Sequence, residues 1–231
     1  MTGPGGTGFG DVGARLAELR RRIAAAGGDA ARVRIVAVTK GLAPEAAEAA
    51  LAAGCRDLGE NYADELVAKA ARLRATGRDA GVCWHLIGGI QRRSVARLAP
   101  HVGLYETVDR LEEGVALARH APGAAVLVEV DTTGMPGRGG VPLDAAGRLV
   151  EGLVALGLDV QGLMTVAAPG DADGARRCFA AVSSLVAELG LAEASMGMSD
   201  DFEIAVAEGS TMVRVGRALF GPRAARAAMR E

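Results

Sequence analysis

Short apolar runs rich in Val, Ile and Leu alternate with alanine-rich amphipathic segments along nearly the whole chain. We predict strands at the apolar runs, because they are short and stay apolar through most of their length, as buried parallel strands do. The strand runs lie at 33–39, 56–60, 83–88, 103–108, 124–130, 158–166, 193–198 and 211–216. Helical spacing of apolar residues predicts helices at 11–26, 44–53, 62–75, 91–98, 109–119, 142–155, 172–189, 200–208 and 222–230.

Eight strand–helix units in one chain predict a parallel sheet, and their number favours a closed barrel over an open doubly wound sheet. We therefore expect an α/β protein built as a single (β/α)8 TIM barrel with an extra N-terminal helix. The second run is short and polar and the seventh has little β propensity, so these are its weakest strands. Residues 1–10 are glycine-rich and are expected to form a disordered tail, with residues 11–231 as one barrel domain.

Composition excludes several classes of function. The net charge is only −2 and aromatic residues make up 3% of the chain, so we expect neither nucleic-acid nor membrane binding. Cys55, Cys83 and Cys178 form no pattern typical of disulfides or zinc sites, and we interpret them as buried hydrophobic residues in a reducing compartment. The N-terminus has no signal-peptide pattern, and no exposed apolar repeat is evident. We expect a cytoplasmic monomer.

Lysine is scarce in this chain. Among 26 basic residues only Lys40 and Lys69 are lysines, and the rest are arginines. Arginine can replace lysine where only charge matters, but it cannot replace an amine that must become neutral and attack a carbonyl. Lys40 ends the first strand, at the rim where barrels carry their function, so we predict a functional amine there. Lys69 falls in the middle of an amphipathic helix, and we expect it to be a surface charge.

The ends of the last two strands predict a phosphate site. "SMGMSDDFEIAVAEG" places Ser199 where a helix N-cap belongs, and "VGRALFG" places Gly216 at a strand–helix turn. Backbone N–H groups at helix starts bind anions, and barrels often bind phosphate after strands seven and eight. An amine and a phosphate site at one mouth suggest a phosphorylated carbonyl compound. It would be either pyridoxal phosphate held as a Schiff base or a sugar phosphate processed by a lysine aldolase.

Three other side chains need an interpretation. Arg214 lies in the middle of the eighth strand between valines, and a buried guanidinium there needs a phosphate, a carboxylate or a ring nitrogen as its partner. His85, inside an apolar strand, is interpreted as a hydrogen-bonded core histidine. "GMPGRGG" is interpreted as a plain surface loop, with an anion-binding loop through Arg138 as the alternative.

Four segments resemble one known family. "AVTKGLAPEAAEAALAAGCRDLGENYADELVAK", "WHLIGGIQ", "GLMTVAAP" and "SMGMSDDFEIAVAEGSTMVRVGRALFG" are similar to the pyridoxal phosphate homeostasis proteins, which are relatives of the alanine racemase N-terminal barrel. The resemblance runs from about residue 11 to residue 223. It implies a (β/α)8 barrel that binds pyridoxal 5′-phosphate.

The resemblance also implies the site residues. It places a covalent internal aldimine on Lys40 and the Arg214 guanidinium at the pyridine nitrogen. It places the phosphate at Ser199 and Gly216, and Asn61 of "GEN" beside the cofactor.

The function implied is that of a carrier that buffers a reactive aldehyde in intracellular pyridoxal phosphate homeostasis, without turnover. Apo pyridoxal-phosphate-dependent enzymes would be its recipients. A permanent cation at the ring nitrogen leaves that nitrogen unprotonated, so the ring is a poor electron sink. We also expect no second domain, which racemase relatives need for an opposing acid–base group. The alternatives are a weak racemase-type enzyme using Tyr62 or His85, a lysine aldolase and, least favoured, a purely structural protein.

The chain departs from the family pattern at three places. "GGIQRRS" stands where the family often reads "GHLQxNK", so Gly89, Arg93 and Ser94 replace the typical residues. Arg217 stands where a Ser or Thr usually follows the glycine of the eighth strand. Arg138 lies near the place of a family lysine and cannot form an aldimine, which affects a secondary transfer site but not Lys40.

Overall fold

The computed structural model describes residues 9–222, which contain nine strands and nine α-helices. The strands are β1 (Arg34–Val38), β2 (Asp57–Glu60), β3 (Cys83–Leu86), β4 (Val102–Val108), β5 (Ala125–Asp131), β6 (Val141–Pro142), β7 (Asp159–Met164), β8 (Glu193–Ser195) and β9 (Met212–Val215). The helices are α1 (Val12–Ala25), α2 (Glu45–Ala52), α3 (Ala63–Ala75), α4 (Val95–Leu98), α5 (Leu111–His120), α6 (Ala146–Ala155), α7 (Ala172–Glu188), α8 (Phe202–Ala207) and α9 (Arg217–Phe220). Between positions 9 and 222 no helix combines the length and the apolar character that crossing a bilayer requires.

Eight of the strands close into a parallel barrel. Each strand pairs with the next in the order β1, β2, β3, β4, β5, β7, β8 and β9, and β9 returns to β1. The two-residue strand β6 pairs with the end of β5. Since helices connect the strands and α1 precedes them, the predicted (β/α)8 barrel with an extra N-terminal helix is confirmed.

Most predicted elements are confirmed, with differences at their ends. The weak second and seventh runs form short strands, β2 and β8. The helix predicted at 142–155 begins only at Ala146, after a 3-10 turn. Directly after β9 the chain forms the four-residue helix α9, which the periodicity did not predict. The helix predicted at 222–230, beyond its first residue, and most of the predicted tail at 1–10 lie outside the described residues.

Apolar residues form two separate clusters because barrel strands turn alternate side chains outward and inward. The outward-facing side chains pack with the helices into a large outer core, which includes Leu16, Leu58 and Phe179. The inward-facing apolar residues form a small cluster in the lumen: Val36, Leu104, Leu127, Met164 and Met212. Other lumen positions are polar and buried, namely His85, Glu106, Ser195 and Arg214. A buried polar group needs partners, so the lumen is where a site is expected.

Candidate functional site

A cavity of about 610 Å³ opens at the C-terminal ends of the strands. Its lining includes Lys40 after β1, Arg214 in β9 and Gly216 after β9. The loop after β7, at 166–171, and the first residue of α7 form a further part of the wall. Because parallel strands end at one face of a barrel, residues far apart in sequence meet at this mouth. The volume lies in the range typical of small-molecule sites.

Lys40 is held at the mouth by residues that follow β1 and β2 and by α3. Its Nζ donates a hydrogen bond to Asn61 Oδ1 at 3.2 Å. The next residue, Gly41, has a φ of +69°, a left-handed conformation that glycine adopts without steric cost. The Gly41 N–H donates to Glu65 Oε2 at 2.7 Å, which ties this turn to α3. Asn61 therefore contacts the amine and orients it just after the end of β1.

The interpretation of Lys69 as a surface charge is wrong. Lys69 is only 4% exposed, and its Nζ donates to Glu60 Oε1 at 2.6 Å and to the Thr39 carbonyl at 2.8 Å. Thr39 Oγ1 donates to the same Glu60 oxygen at 2.5 Å. Burial raises the pKa of Glu60 even though Lys69 and Thr39 oppose the shift. Lys69 thus anchors the backbone directly before Lys40. A glutamate within a predicted strand was the available sequence signal, because a buried carboxylate needs a cation as its partner.

Arg214 is a fixed cation in the wall of the cavity. Its Nη1 donates to the Ser195 carbonyl at 2.7 Å and to Ser195 Oγ at 2.6 Å, and its Nη2 donates to the Thr165 carbonyl at 2.8 Å. Glu106 Oε2 lies 3.9 Å from Nη1 and is fully buried. Burial lowers the pKa of the guanidinium, but an arginine remains protonated in proteins. Arg214 is also one of the residues that line the cavity.

Ser199 is not the N-cap residue of α8, the helix that follows it. Helix α8 begins at Phe202 and has Asp201 at its N-cap position, without a side-chain cap. The Ser199 hydroxyl instead accepts a hydrogen bond from the Ala218 N–H, in the first turn of α9, at 3.2 Å. Ser199 lies between the cavity-lining residues Met198 and Asp200 but is not part of the wall described for residues 9–222. The serine therefore joins the loops after β8 and β9, and this side-chain contact could not be read from spacing.

Neither acid–base candidate of the racemase alternative lies in the cavity. Tyr62 is 61% exposed. His85 is fully buried, with Nδ1 2.6 Å from Glu106 Oε1 and Nε2 3.0 Å from Asp57 Oδ1, so it is a hydrogen-bonded core histidine as predicted. Burial opposes protonation of the ring, but hydrogen bonds to Asp57, Cys83 and Glu106 outweigh burial and raise the pKa of His85 well above its usual value.

Sequence reasoning missed a carboxylate in the wall and left the role of Arg138 open. Arg138 lines the cavity, and its Nη2 donates to the Ala167 carbonyl at 3.4 Å, while residues 134–137 of the same loop are exposed. Glu129 on β5 also lines the cavity. Burial raises the pKa of Glu129 to about 7, and the charge of Asp109 adds to this shift while Arg214 opposes it. The alternation of β5 was the available signal, because it turns Leu127 and Glu129 into the lumen.

Replacing Glu129 by Gln is expected to remove a pH-dependent loss of stability. A carboxyl whose pKa is higher in the folded than in the unfolded protein supports folding while protonated, and this support is lost as the pH rises through about 7. Between about pH 5 and about pH 8, the free energy of unfolding of the apo-protein should fall more for the original chain than for Glu129→Gln, by ~1–3 kcal/mol. Urea titrations at each pH measure the difference. If the free energy of unfolding fell equally with pH in both proteins, the prediction would be contradicted.

A family model and two relatives match most of this chain in sequence. A family model described as the N-terminal domain of alanine racemase matches residues 14–224. A pyridoxal phosphate homeostasis protein of Pseudomonas aeruginosa is 37% identical over 215 residues, covering 90% of this chain and 92% of that protein. One of Deinococcus radiodurans is 39% identical over 214 residues, covering 90% of this chain and 99% of that protein.

Two solved structures resemble the chain, one in both sequence and fold and the other in fold alone. PipY of Synechococcus elongatus, solved with PLP bound, is 31% identical with a TM-score of 0.79, covering 91% of this chain and all of that one (100%). Alanine racemase of Clostridium difficile is 18% identical with a TM-score of 0.69 and covers 94% of this chain but 58% of that one. The second likeness shows the barrel fold alone.

Proposed function

The chain belongs to the pyridoxal phosphate homeostasis protein family, and from that premise we propose that it binds pyridoxal 5′-phosphate in the cavity at the C-terminal mouth and carries it without turnover. One observation carries the proposal: the amine of Lys40 and the guanidinium of Arg214 line the same cavity. An aldehyde needs an amine, and a pyridine nitrogen needs a hydrogen-bond donor. Lys40 and Arg214 thus supply the groups that the aldehyde and the ring nitrogen of this ligand require.

Lys40 is proposed to hold the cofactor covalently. Its amine would hold the aldehyde carbon of the cofactor through a C=N bond, with the carbonyl oxygen released as water. Asn61 Oδ1 holds Nζ at 3.2 Å and so orients the amine before bonding. Lys69 contributes indirectly, because it binds the Thr39 carbonyl and stabilises the strand end that presents Lys40.

The phosphate is proposed to lie at the loops after β8 and β9. Gly216 lines the cavity directly before α9, and a Cβ placed there would come within 3.4 Å of the Val38 carbonyl oxygen. A glycine at this position allows an anion to approach the backbone closely. Ser199 supports this arrangement by joining the two loops through Ala218.

The absence of turnover rests on Arg214. Pyridoxal phosphate with an unprotonated ring nitrogen would be a weaker electron sink than with a protonated one. Arg214 is held by the Thr165 and Ser195 carbonyls, and as a cation beside the ring nitrogen it would disfavour protonation of that nitrogen. We propose that the protein buffers the cofactor and passes it to apo-enzymes as recipients. Its cytoplasmic location and monomeric state stay predictions.

Weak racemase-type activity is the second candidate, and one observation favours it. Glu129 lines the cavity with a pKa of about 7, which suits a general acid or base near neutral pH. The acid–base group of such an enzyme would then be Glu129 rather than Tyr62 or His85. Exchange of the α-hydrogen of amino acids in deuterated water, lost in Glu129→Gln, would support this candidate against the carrier.

Absorption spectroscopy of the protein mixed with pyridoxal phosphate tests the proposed function. We expect a visible band from a protonated aldimine, and borohydride should then fix one pyridoxyl group on the peptide that contains Lys40. Lys69 is the internal control, because it is the only other lysine and is buried in an ion pair. A protein that stays colourless would remove both the carrier and the racemase candidates and leave the aldolase. A label on Lys69 alone would refute the assignment to Lys40.

A further inference from the structure

A group of metal-binding side chains lies at the opposite end of the barrel from the cavity. Asp57 and Cys83 are the first residues of β2 and β3, and His85 follows two residues into β3. One ligand atom from each of the three lies within 4.8 Å of the others. The closest pair, His85 Nε2 and Asp57 Oδ1, is 3.0 Å apart.

Strand geometry explains why these three side chains meet. Asp57 is the register partner of Cys83, and Gly59 is the register partner of His85. Side chains alternate along a strand, and Trp84 and Leu58 belong to the outer core, so Asp57, Cys83 and His85 point into the lumen. Gly103 on β4 leaves room for the thiol, because a Cβ there would lie 2.6 Å from Cys83 Sγ.

The histidine ring is oriented by a second carboxylate. Its Nδ1 lies 2.6 Å from Glu106 Oε1, and Glu106 is fully buried. Glu106 is itself held by Ser195, whose hydroxyl donates to Oε2 at 2.6 Å. A carboxylate on one ring nitrogen fixes the orientation and the tautomer of a metal-binding histidine, and it leaves the other nitrogen for the metal. Here the other nitrogen is Nε2, which faces Asp57.

We propose that Asp57, Cys83 and His85 bind one zinc ion through a carboxylate oxygen, Sγ and Nε2. Ligand atoms around a tetrahedral zinc stand roughly 3.2–3.8 Å apart, given bonds of ~2.0–2.3 Å, and the three atoms need only small movements to reach this spacing. A thiolate with an imidazole selects a soft or borderline cation over magnesium or calcium. The three ligands leave the fourth position for water.

The exposure of two of the three side chains and the protons that this group can release are compatible with a bound cation at this end of the barrel. The Asp57 side chain is 21% exposed and Cys83 is half-buried, so solvent reaches two of the three side chains. Zinc would replace the proton on His85 Nε2 and the proton of the Cys83 thiol, and both protons pass to solvent. The Asp57 carboxylate then exchanges its hydrogen bond with the ring for a bond to the metal.

Cys83 differs from the other two cysteines. Cys55 and Cys178 are buried, which confirms their interpretation as core residues. Burial raises the pKa of the Cys55 thiol to about 11 and keeps it protonated. Cys178 Sγ lies 2.6 Å from Thr132 Oγ1 in a hydrogen bond. Cys83 is only half-buried, so the expectation that it is a buried residue is wrong, and it lies beside the histidine and the carboxylate of the proposed site.

Cobalt titration of the reduced, metal-free, full-length protein tests the proposal. We expect about one equivalent to bind, with the charge-transfer band of a cobalt–thiolate bond, and zinc to displace it. Cys83→Ser should abolish that band and weaken binding at least about a hundredfold, since loss of an outer hydrogen-bond partner alone costs ~10–100-fold. Asp57→Asn should weaken binding and keep the band. Both residues lie at the partly exposed end of the barrel, where substitution is compatible with folding.

Cys178→Ser is the matched control and should bind cobalt like the original chain, because Cys178 lies away from the cluster. A protein without one tight equivalent, or a band that survives in Cys83→Ser, would overturn the proposal. Loss of the band in Cys178→Ser would overturn it as well. No pyridoxal phosphate enters this experiment, and borohydride labelling of Lys40 in Cys83→Ser should be unchanged. The outcome for the proposed metal site is therefore independent of the outcome for the proposed carrier function.

Discussion

A Lys40→Arg variant is expected to take up no pyridoxyl group after borohydride reduction and to show no visible aldimine band. The guanidinium keeps a positive charge at the cavity wall and can still donate to Asn61, but it cannot form the imine. Affinity for the cofactor should fall by at least about a hundredfold, or ~2.8 kcal/mol. Absorption titration and peptide mass spectrometry measure both effects.

The folded state of the Lys40→Arg apo-protein should be nearly as stable as that of the original chain. Lys40 is only half-buried, so a long cation can replace it at modest cost. Arg217→Lys is the matched control for the chemistry, because Arg217 also lines the cavity and pairs with the exposed Asp200. It should leave the label on Lys40. A visible band that persists in Lys40→Arg would show that another group holds the aldehyde.

A Lys69→Met variant is expected to lose ~3–5 kcal/mol of the free energy of unfolding. The substitution keeps most of the buried stem but leaves the Glu60 carboxylate, which is fully buried, without its cation. One Glu60 oxygen, Oε2, already has no hydrogen-bond partner among residues 9–222. The Thr39 hydroxyl would then be the remaining donor to the carboxylate. Urea denaturation of the apo-protein measures the loss.

Arg72→Met provides the matched control for Lys69→Met, because it lies one turn further along α3. Arg72 pairs with Glu45 and Glu48, but its side chain is 42% exposed, so its loss should cost less than ~1 kcal/mol. The deficit of Lys69→Met should also shrink as the pH falls, since protonation of Glu60 removes the uncompensated charge. Equal losses in the two variants would contradict the assignment of Lys69 to the interior.

The sequence alone determined the barrel and the residues at its functional face. Alternation between apolar runs and amphipathic segments predicted every strand of the closed ring, because a parallel strand must be apolar and its connecting helix must cover it. Strand direction then placed Lys40 and Gly216 at one mouth, since all parallel strands end on the same face. The position of Arg214 between valines predicted its burial. These inferences need only the period of a strand and its polarity.

The tertiary structure alone decided which groups those side chains meet. The same periodicity could not show that Lys69 reaches Glu60, or that the Ser199 hydroxyl binds the backbone of α9. Ser195 and Glu106 are 89 residues apart in the chain and 2.6 Å apart in the lumen. The pattern of apolar and polar residues along a chain shows which side of a helix or strand is buried. The charge opposite a buried group depends on the closure and register of the barrel, which bring strands distant in sequence together.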